Sequence, residues 1–171
     1  MRSPELEIAE SRRGEFLIST DPRRLDLDAI HEFLTHSYWA KGIPREVVVR
    51  SIEQSLCFGI YDEARAQLPH PASAARCGAP QVGFARVISD FATFAYLADV
   101  FVRDAYRARG LGKWMMESIV DHPRLQGLRR WVLVTRDAHG LYRKFGFRPV
   151  KAPDRYMEFD GADIYQIGET K

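Results

Sequence analysis

Basic residues and glycines surround one short turn of this chain in a pattern suited to binding phosphate groups. The turn follows an apolar run that ends at Val102, and two glycines stand at the start of the helix after it. Glycine has no Cβ to keep a ligand away, and the first amides of a helix have no intrahelical partner. An anion bound there also meets the positive end of the helix dipole. The residues expected to form this diphosphate site are Arg107, Ala108, Arg109, Gly110, Leu111, Gly112 and Lys113.

The spacing within the turn does not match two other phosphate-binding motifs. A Walker P-loop has glycine five residues before its Gly-Lys pair and Ser or Thr after it, but Arg107 and Trp114 occupy those positions. A Rossmann fingerprint has a third small residue three positions after its second glycine, where this chain has Met115. The spacing therefore disfavours a nucleotide triphosphatase and a dinucleotide-binding domain.

A second segment, after the apolar run that starts at Trp131, places a phenol on a helix. Tyr142 lies on the apolar face of that helix, and Gly146 stands where a left-handed cap belongs. The Arg-x-x-Gly-x-Gly spacing of the first segment and the Tyr-x-x-x-Gly-Phe spacing of the second resemble the two signatures of the GNAT superfamily of N-acetyltransferases. The resemblance implies acetyl-CoA as co-substrate and an amine of a small molecule or a protein as acceptor.

The resemblance also implies roles for residues around the two motifs. Backbone amides of Val100, Phe101 and Val102 would polarise the thioester carbonyl of the coenzyme. Thr135 stands where the family often has Asn, and its hydroxyl would bond the pantetheine arm. Tyr142 would return a proton to the leaving thiolate, and a packed core tyrosine is the alternative interpretation.

The acceptor side leaves more alternatives open. Asp99 is the carboxylate nearest to the expected reaction centre, where it acts as a base or bonds neighbouring backbone groups. The strand resembles that of polyamine acetyltransferases, but Ala98 replaces their Glu. Tyr38 and Trp39 lie between the first two predicted helices, and they contact the acceptor or pack a helix end. A non-catalytic acyl-CoA sensor or interaction module is the alternative to direct acetyl transfer to an amine in a ternary complex.

The hydrophobic pattern of the sequence predicts the strands and helices that position these residues. Apolar runs predict strands at residues 16–20, 56–62, 81–90, 93–103, 131–134, 147–150 and 156–159. Helical periodicity predicts helices at 25–34, after Pro44, at 109–121 and from Ala138. With the resemblance, this order predicts a single α/β (α+β) domain. Its mixed, mostly antiparallel sheet has about six to seven strands, is splayed at the coenzyme site and is flanked by about four helices.

The composition is compatible with one domain. The chain has 171 residues, 46% of them hydrophobic, and a formal charge of +2. This near balance of charge gives no reason to expect nucleic acid or a membrane as partner. With no apolar run of about 18 residues, a cytoplasmic protein is expected. Two cysteines do not make a disulfide scaffold, no metal site is expected, and a monomer and a homodimer both fit.

Three regions are distinguished along the chain. Residues 1–12 are polar and are expected to be flexible, and residues 13–171 are expected to form the N-acetyltransferase domain. Residues 64–80, which carry several prolines and alanines, are expected to form a mobile loop excursion between two strands.

Overall fold

Six strands form one sheet in the computed structural model, which describes residues 7–66, 78–159 and 165. The strands, adjacent in chain order, are β1 (Glu10–Arg13), β2 (Phe16–Ser19), β3 (Leu56–Asp62), β4 (Gln81–Ser89), β5 (Phe94–Val102) and β6 (Arg130–Val132). The α-helices are α1 (Leu27–His36), α2 (Arg45–Glu53), α3 (Leu111–Val120) and α4 (His139–Arg143). Each neighbouring pair of strands is antiparallel except β5 and β6, which are parallel. The predicted fold class is confirmed.

Apolar side chains cover the sheet from both faces. Helices α1 and α2 pack on one face, where the buried cluster contains Leu25, Ile30, Leu34, Ala40, Val48, Cys57, Phe84 and Phe101. Helix α3 packs on the opposite face, and it buries Leu111, Trp114, Met115, Met116 and Ile119. Every residue of β3 is buried, because helices cover both faces of the sheet there. This explains why the apolar run of β3 is continuous rather than alternating.

A β-bulge interrupts β5 at Asp99, whose φ is +54°. Phe84 pairs with Phe101 and Arg86 pairs with Ala98, so one residue of β4 faces two residues of β5. The extra residue reverses the alternation of side chains along the strand. Leu97 therefore packs on the α3 side of the sheet, while Phe101 packs on the α1 and α2 side.

Strands β5 and β6 separate soon after they pair. Phe94, Ala95 and Tyr96 pair with the residues of β6, and no pairing continues beyond Tyr96 within the described residues. Strand β5 runs on to Val102, whereas β6 ends at Val132. The two strands thus open into a cleft that begins beside the bulge and leads to the start of α3.

Most predicted elements agree with the structure to within two or three residues. Strand β3 has the predicted bounds, β4 and β5 differ from the prediction by one residue at their ends, and Gly146 has the left-handed φ of +85° expected of a helix cap. Residues 67–77 of the predicted loop excursion lie outside the described residues. No helix in the described ranges is long and apolar enough to cross a bilayer.

Two local predictions are wrong. Residues 10–12, expected in a flexible terminus, belong to β1, which is held by backbone pairing to β2 and by ion pairs such as Arg24 Nε to Glu10 Oε1 at 3.2 Å. All side chains of β1 are exposed, so no apolar signal marks it. The runs at 147–150 and 156–159 are not strands. Phe147 is half-buried against the core, but the other large apolar side chains of these runs stay exposed, with Met157 98% exposed. A 3-10 turn over Pro153–Arg155 lies between the two runs.

Candidate functional site

The predicted diphosphate turn begins α3 with two residues of positive φ. Ala108 has φ +61° and Gly110, the N-cap of the helix, has φ +77°. The first helical bond runs from the Trp114 amide to the Gly110 carbonyl, with 3.0 Å between nitrogen and oxygen. The amides of Leu111, Gly112 and the following lysine therefore precede the intrahelical bonds and are available to an anion.

Neither glycine at this helix start is required by protein packing. No atom lies within 4 Å of a Cβ built on Gly110, although its positive φ favours glycine. Gly112 has an ordinary helical backbone, and a Cβ there would meet only Leu141 Cδ2 at 3.9 Å. Alanine would be the better helix former at that position. The space beside Gly112 is left open toward solvent, as close approach of a ligand requires.

The three predicted cations surround the turn and are paired with acidic side chains. Arg107 lies 2.9 Å from Asp104, Arg109 lies 4.0 Å from Glu15, and Lys113 lies 3.3 Å from Glu117, measured between charged nitrogen and oxygen atoms. All three basic side chains are more than half exposed. Exposed ion pairs of this kind contribute between zero and about 1 kcal/mol. A doubly charged diphosphate can therefore recruit these cations at little cost.

Tyr106, which the sequence analysis did not identify, anchors the turn to the sheet. Its hydroxyl donates to Asp62 Oδ2 at 3.0 Å, and the Arg109 guanidinium lies 5.3 Å from the centre of its ring. Burial, followed by the bond to Asp62, raises the pKa of this phenol. Asp62 is the last residue of β3, far away in sequence, so no local pattern could have revealed the contact.

Tyr142 lies in α4 and is 8% exposed. Burial raises the pKa of its phenol to about 12, with smaller contributions from Tyr38 and Asp137. The centre of its ring lies 5.9 Å from that of Phe147, which follows the helix cap. The Thr135 hydroxyl accepts the Ala138 amide at 3.0 Å and thereby holds the turn that leads into α4.

The acceptor-side residues converge on the bulge. Asp99 Oδ2 accepts from Arg86 Nε at 2.7 Å, and Asp99 Oδ1 accepts from the indole Nε1 of Trp39 at 3.2 Å. The backbone amide of Arg136 donates to the Tyr38 hydroxyl at 3.2 Å, and the Arg136 guanidinium lies 3.9 Å from the centre of the Tyr38 ring. The structure thus brings Tyr38, Trp39 and Asp99 to one end of the cleft. Arg86 is a further member that sequence reasoning missed.

The described residues also form two cavities away from this cleft. One, of about 380 Å³, lies between β1 and α3, and the other, of about 420 Å³, lies between the ends of α3 and α4. Neither is lined by a predicted site residue. No cluster of side chains suited to a metal ion occurs in the described part of the chain. The candidate site is therefore the open cleft, with its turn, bulge and converging side chains.

Comparison with known proteins identifies the family. The model of the GNAT acetyltransferase domain matches residues 73–149. A Gibberella zeae protein assigned as an acetyltransferase is 34% identical over 158 residues, which cover 87% of this chain and 85% of that protein. A crystal structure of a GNAT protein from Xanthomonas campestris pv. campestris shares 45% identity and has a TM-score of 0.76, covering 89% of this chain and 97% of that one.

A more distant structure, from Clostridium acetobutylicum and determined with acetyl-CoA, supports the fold alone. It shares 13% identity and has a TM-score of 0.52, covering 80% of this chain and 92% of that one. Sequence, strand order and relatives agree, and the chain belongs to the GNAT family of acetyltransferases.

Proposed function

We propose that this protein transfers an acetyl group from acetyl-CoA to an amine by direct attack within a ternary complex. The main support is that one cleft contains both the start of α3 at Gly110, whose first amides make no intrahelical bond, and the edge of β5 beyond Tyr96, which β6 leaves unpaired. The coenzyme supplies a thioester. In the proposal, the amides at the start of α3 and the cations around them hold its diphosphate, and the cleft beside β5 holds its pantetheine arm.

Attack by the amine requires a neutral nucleophile and a stabilised carbonyl. An ordinary primary amine with a pKa of about 10.4 is neutral in roughly one molecule in a few thousand at pH 7, which costs about 4.6 kcal/mol. As the C–N bond forms, negative charge develops on the thioester oxygen. Backbone amides among Val100, Phe101 and Val102 would donate to it, because β5 has no partner on β6 beyond Tyr96.

Collapse of the adduct breaks the C–S bond and releases a thiolate. In the proposal Tyr142 donates a hydrogen bond to that sulfur. Because its pKa is raised to about 12, complete proton transfer to a thiolate whose conjugate acid has a pKa of about 8.5 would be uphill by about 5 kcal/mol. Tyr142 would therefore stabilise the departing sulfur as a donor, and solvent would supply the proton of the free thiol.

Asp99 can serve the reaction in two ways. Two of its roughly four lone-pair sites accept from Arg86 and Trp39, and the others are free to receive a proton from the amine. Alternatively, Asp99 positions the Trp39 ring and does not exchange a proton. The pH profile of the Asp99→Asn variant separates the two roles.

Removal of the Tyr142 hydroxyl tests the donor. We expect Tyr142→Phe to lower kcat by about 100-fold, while the rise in Tm on adding acetyl-CoA is unchanged. Since a pKa of about 12 keeps the phenol protonated, the wild-type kcat should not fall between pH 7 and 9 through loss of this donor. Release of free thiol from acetyl-CoA, with a panel of amines, measures turnover.

Tyr61→Phe is the matched control, because Tyr61 is 2% exposed and its hydroxyl has no hydrogen-bond partner among the described residues. Its kcat should equal that of the wild type. Unchanged kinetics in Tyr142→Phe would remove Tyr142 from the mechanism. If acetyl-CoA raises the Tm and no amine releases thiol, the protein is better described as a non-catalytic acyl-CoA sensor.

A further inference from the structure

Exposed apolar side chains gather on one open part of the sheet. Among the described residues, ten large hydrophobic side chains are exposed, and five of them lie at the two ends, at Ile8 and within 150–159. The other five are Tyr38, Trp39, Ile88, Phe94 and Val134, with exposures of 48%, 42%, 40%, 38% and 80%. Scattered exposure is ordinary for a soluble protein, whereas a contiguous group indicates a binding surface.

Strand register makes the sheet residues of this group neighbours, and a hydrogen bond links them to the α1–α2 connection. Ile88 pairs with Tyr96 across β4 and β5, and Tyr96 pairs with Val132 across β5 and β6. Phe94 lies two residues before Tyr96 and shares its face of the sheet. Val134 follows Val132 and precedes Arg136, whose amide bonds the Tyr38 hydroxyl. We call Tyr38, Trp39, Ile88, Phe94, Tyr96, Val132 and Val134 the acceptor face.

The acceptor face adjoins the reaction centre. The indole of Trp39 bonds Asp99 at the bulge, where β5 begins to separate from β6. The Tyr38 phenol is close enough to Tyr142 to contribute to the rise in the pKa of Tyr142. Helices α1 and α2 bury the neighbouring part of the same sheet side and leave this part uncovered.

The charges at the base of this face are balanced. Arg86 and Asp99 are 15% and 10% exposed and are joined at 2.7 Å. At its edge, Arg136 lies over the Tyr38 ring, and Asp137 follows in the chain. Arg130 pairs with Phe94 at the far end of the face and adds an exposed cation, which lies 5.9 Å from the centre of the Tyr156 ring. The described residues of the face therefore provide no surplus of carboxylates for a polycation, and next to the bulge the charges of Arg86 and Asp99 cancel. Contact with the aromatic and aliphatic side chains is the main interaction available.

We infer that the acceptor is a small primary amine whose remaining part is aromatic or apolar. This substrate class rests on the proposed acetyl transfer. The amine nitrogen would reach the bulge, while the apolar part covers the Trp39 ring and Ile88. In the reaction the nitrogen loses a proton and gains the acetyl group, and the coenzyme leaves as free thiol, so the product is a neutral amide with the same apolar part.

The test compares amines of different chemical character: one aromatic, one polycationic, one phosphorylated and one peptidic. We expect kcat/KM for 2-phenylethylamine to exceed that for spermidine, glucosamine 6-phosphate and a lysine-containing peptide by at least about 10-fold. The measurement is release of thiol from acetyl-CoA by the full chain. A higher kcat/KM for spermidine, the phosphorylated sugar or the peptide would overturn the inference and leave acetyl transfer intact.

Variants of the face provide a second readout. Trp39→Ala and Ile88→Thr should raise KM for 2-phenylethylamine by about 10-fold and about 3-fold, with little change in the affinity for acetyl-CoA. Trp39→Phe should recover most of the loss, because it keeps a ring and removes only the bond to Asp99. Met157→Thr, which alters an exposed apolar residue outside the face, is the matched control and should leave KM unchanged.

The outcomes separate the inference from the proposed function. If the face variants leave KM unchanged while 2-phenylethylamine is acetylated, the acceptor binds elsewhere and the inference is wrong. If no amine releases thiol although acetyl-CoA raises the Tm, acetyl transfer itself is contradicted, and with it the substrate class. The Tm of each variant with acetyl-CoA shows whether it is folded.

Discussion

The diphosphate turn and the acceptor face lie at opposite ends of the cleft beside β5, and they are built in different ways. The turn is continuous in sequence and, in the proposal, acts through backbone amides that follow the left-handed cap residue Gly110. The face combines side chains from the α1–α2 connection, β4, β5 and the end of β6. A binding site made of backbone can be recognised in the sequence, whereas a site made of distant side chains depends on the fold.

The largest expected effect is a loss of acetyl-CoA binding when a side chain is added at Gly110, the N-cap of α3. We expect Gly110→Val to weaken acetyl-CoA binding by at least about 100-fold, because the new side chain enters the space of the ligand and the residue must adopt positive φ. The Kd for acetyl-CoA, measured by calorimetry, checks this expectation.

Gly127→Val is the control for backbone strain in that experiment. Gly127 has φ +72°, close to the +77° of Gly110, and neither has an atom within 4 Å of the added Cβ. Both variants should lose similar stability, and only the one at Gly110 should lose the coenzyme. Equal Kd values in the two variants would show that the turn is not the diphosphate site.

Removal of the charge at the bulge should reduce the stability of the protein and leave its affinity for acetyl-CoA unchanged. We expect Asp99→Asn to lower the free energy of unfolding by about 1.5–3 kcal/mol, because Arg86 loses its charged partner in a mostly buried place. Asn tolerates the positive φ of this position. The Kd for acetyl-CoA should stay unchanged, and urea denaturation provides the measurement.

The same variant decides the role of Asp99 in catalysis. As a positioning residue, it should change KM for the amine more than kcat and leave the pH profile alone. A fall in kcat of about 100-fold or more, with loss of the acidic limb of the profile, would identify a base instead. Replacing both Arg86 and Asp99 by neutral residues should cost less stability than the sum of the single changes.

The smallest effect is expected for a methyl group added at Gly112, which should change both the stability of α3 and the affinity for acetyl-CoA. Gly112→Ala should raise the free energy of unfolding by about 0.5 kcal/mol and weaken acetyl-CoA binding by about 10-fold. Gly140 is also the second residue of a helix and has no atom within 4 Å of an added Cβ. Gly140→Ala should give the gain in stability alone. A stabilised Gly112→Ala with full affinity would mean that the ligand does not approach this residue.

The limits of sequence reasoning follow from the same contrast. The turn and the helix cap at Gly146 were predicted because each depends on a few consecutive residues. The bulge at Asp99 was not predicted. Simple alternation along β5 would put Leu97 and Phe101 on the same face of the sheet, whereas the structure has them on opposite faces. The pair of Arg86 with Asp99 depends on the register of β4 and β5, and that of Tyr106 with Asp62 depends on where the turn before α3 meets the end of β3. No local sequence pattern reveals either contact.

The charged edge strand β1 also bears on how this protein behaves at high concentration. An open sheet presents unpaired backbone groups along its outer strand, and another chain can extend the sheet there. In β1 all side chains are exposed, and Glu10, Arg12 and Arg13 carry charge. Addition of a further strand would bring charged side chains close together and strip water from them. The polar character that conceals this strand from sequence analysis thus protects the protein against edge-to-edge aggregation.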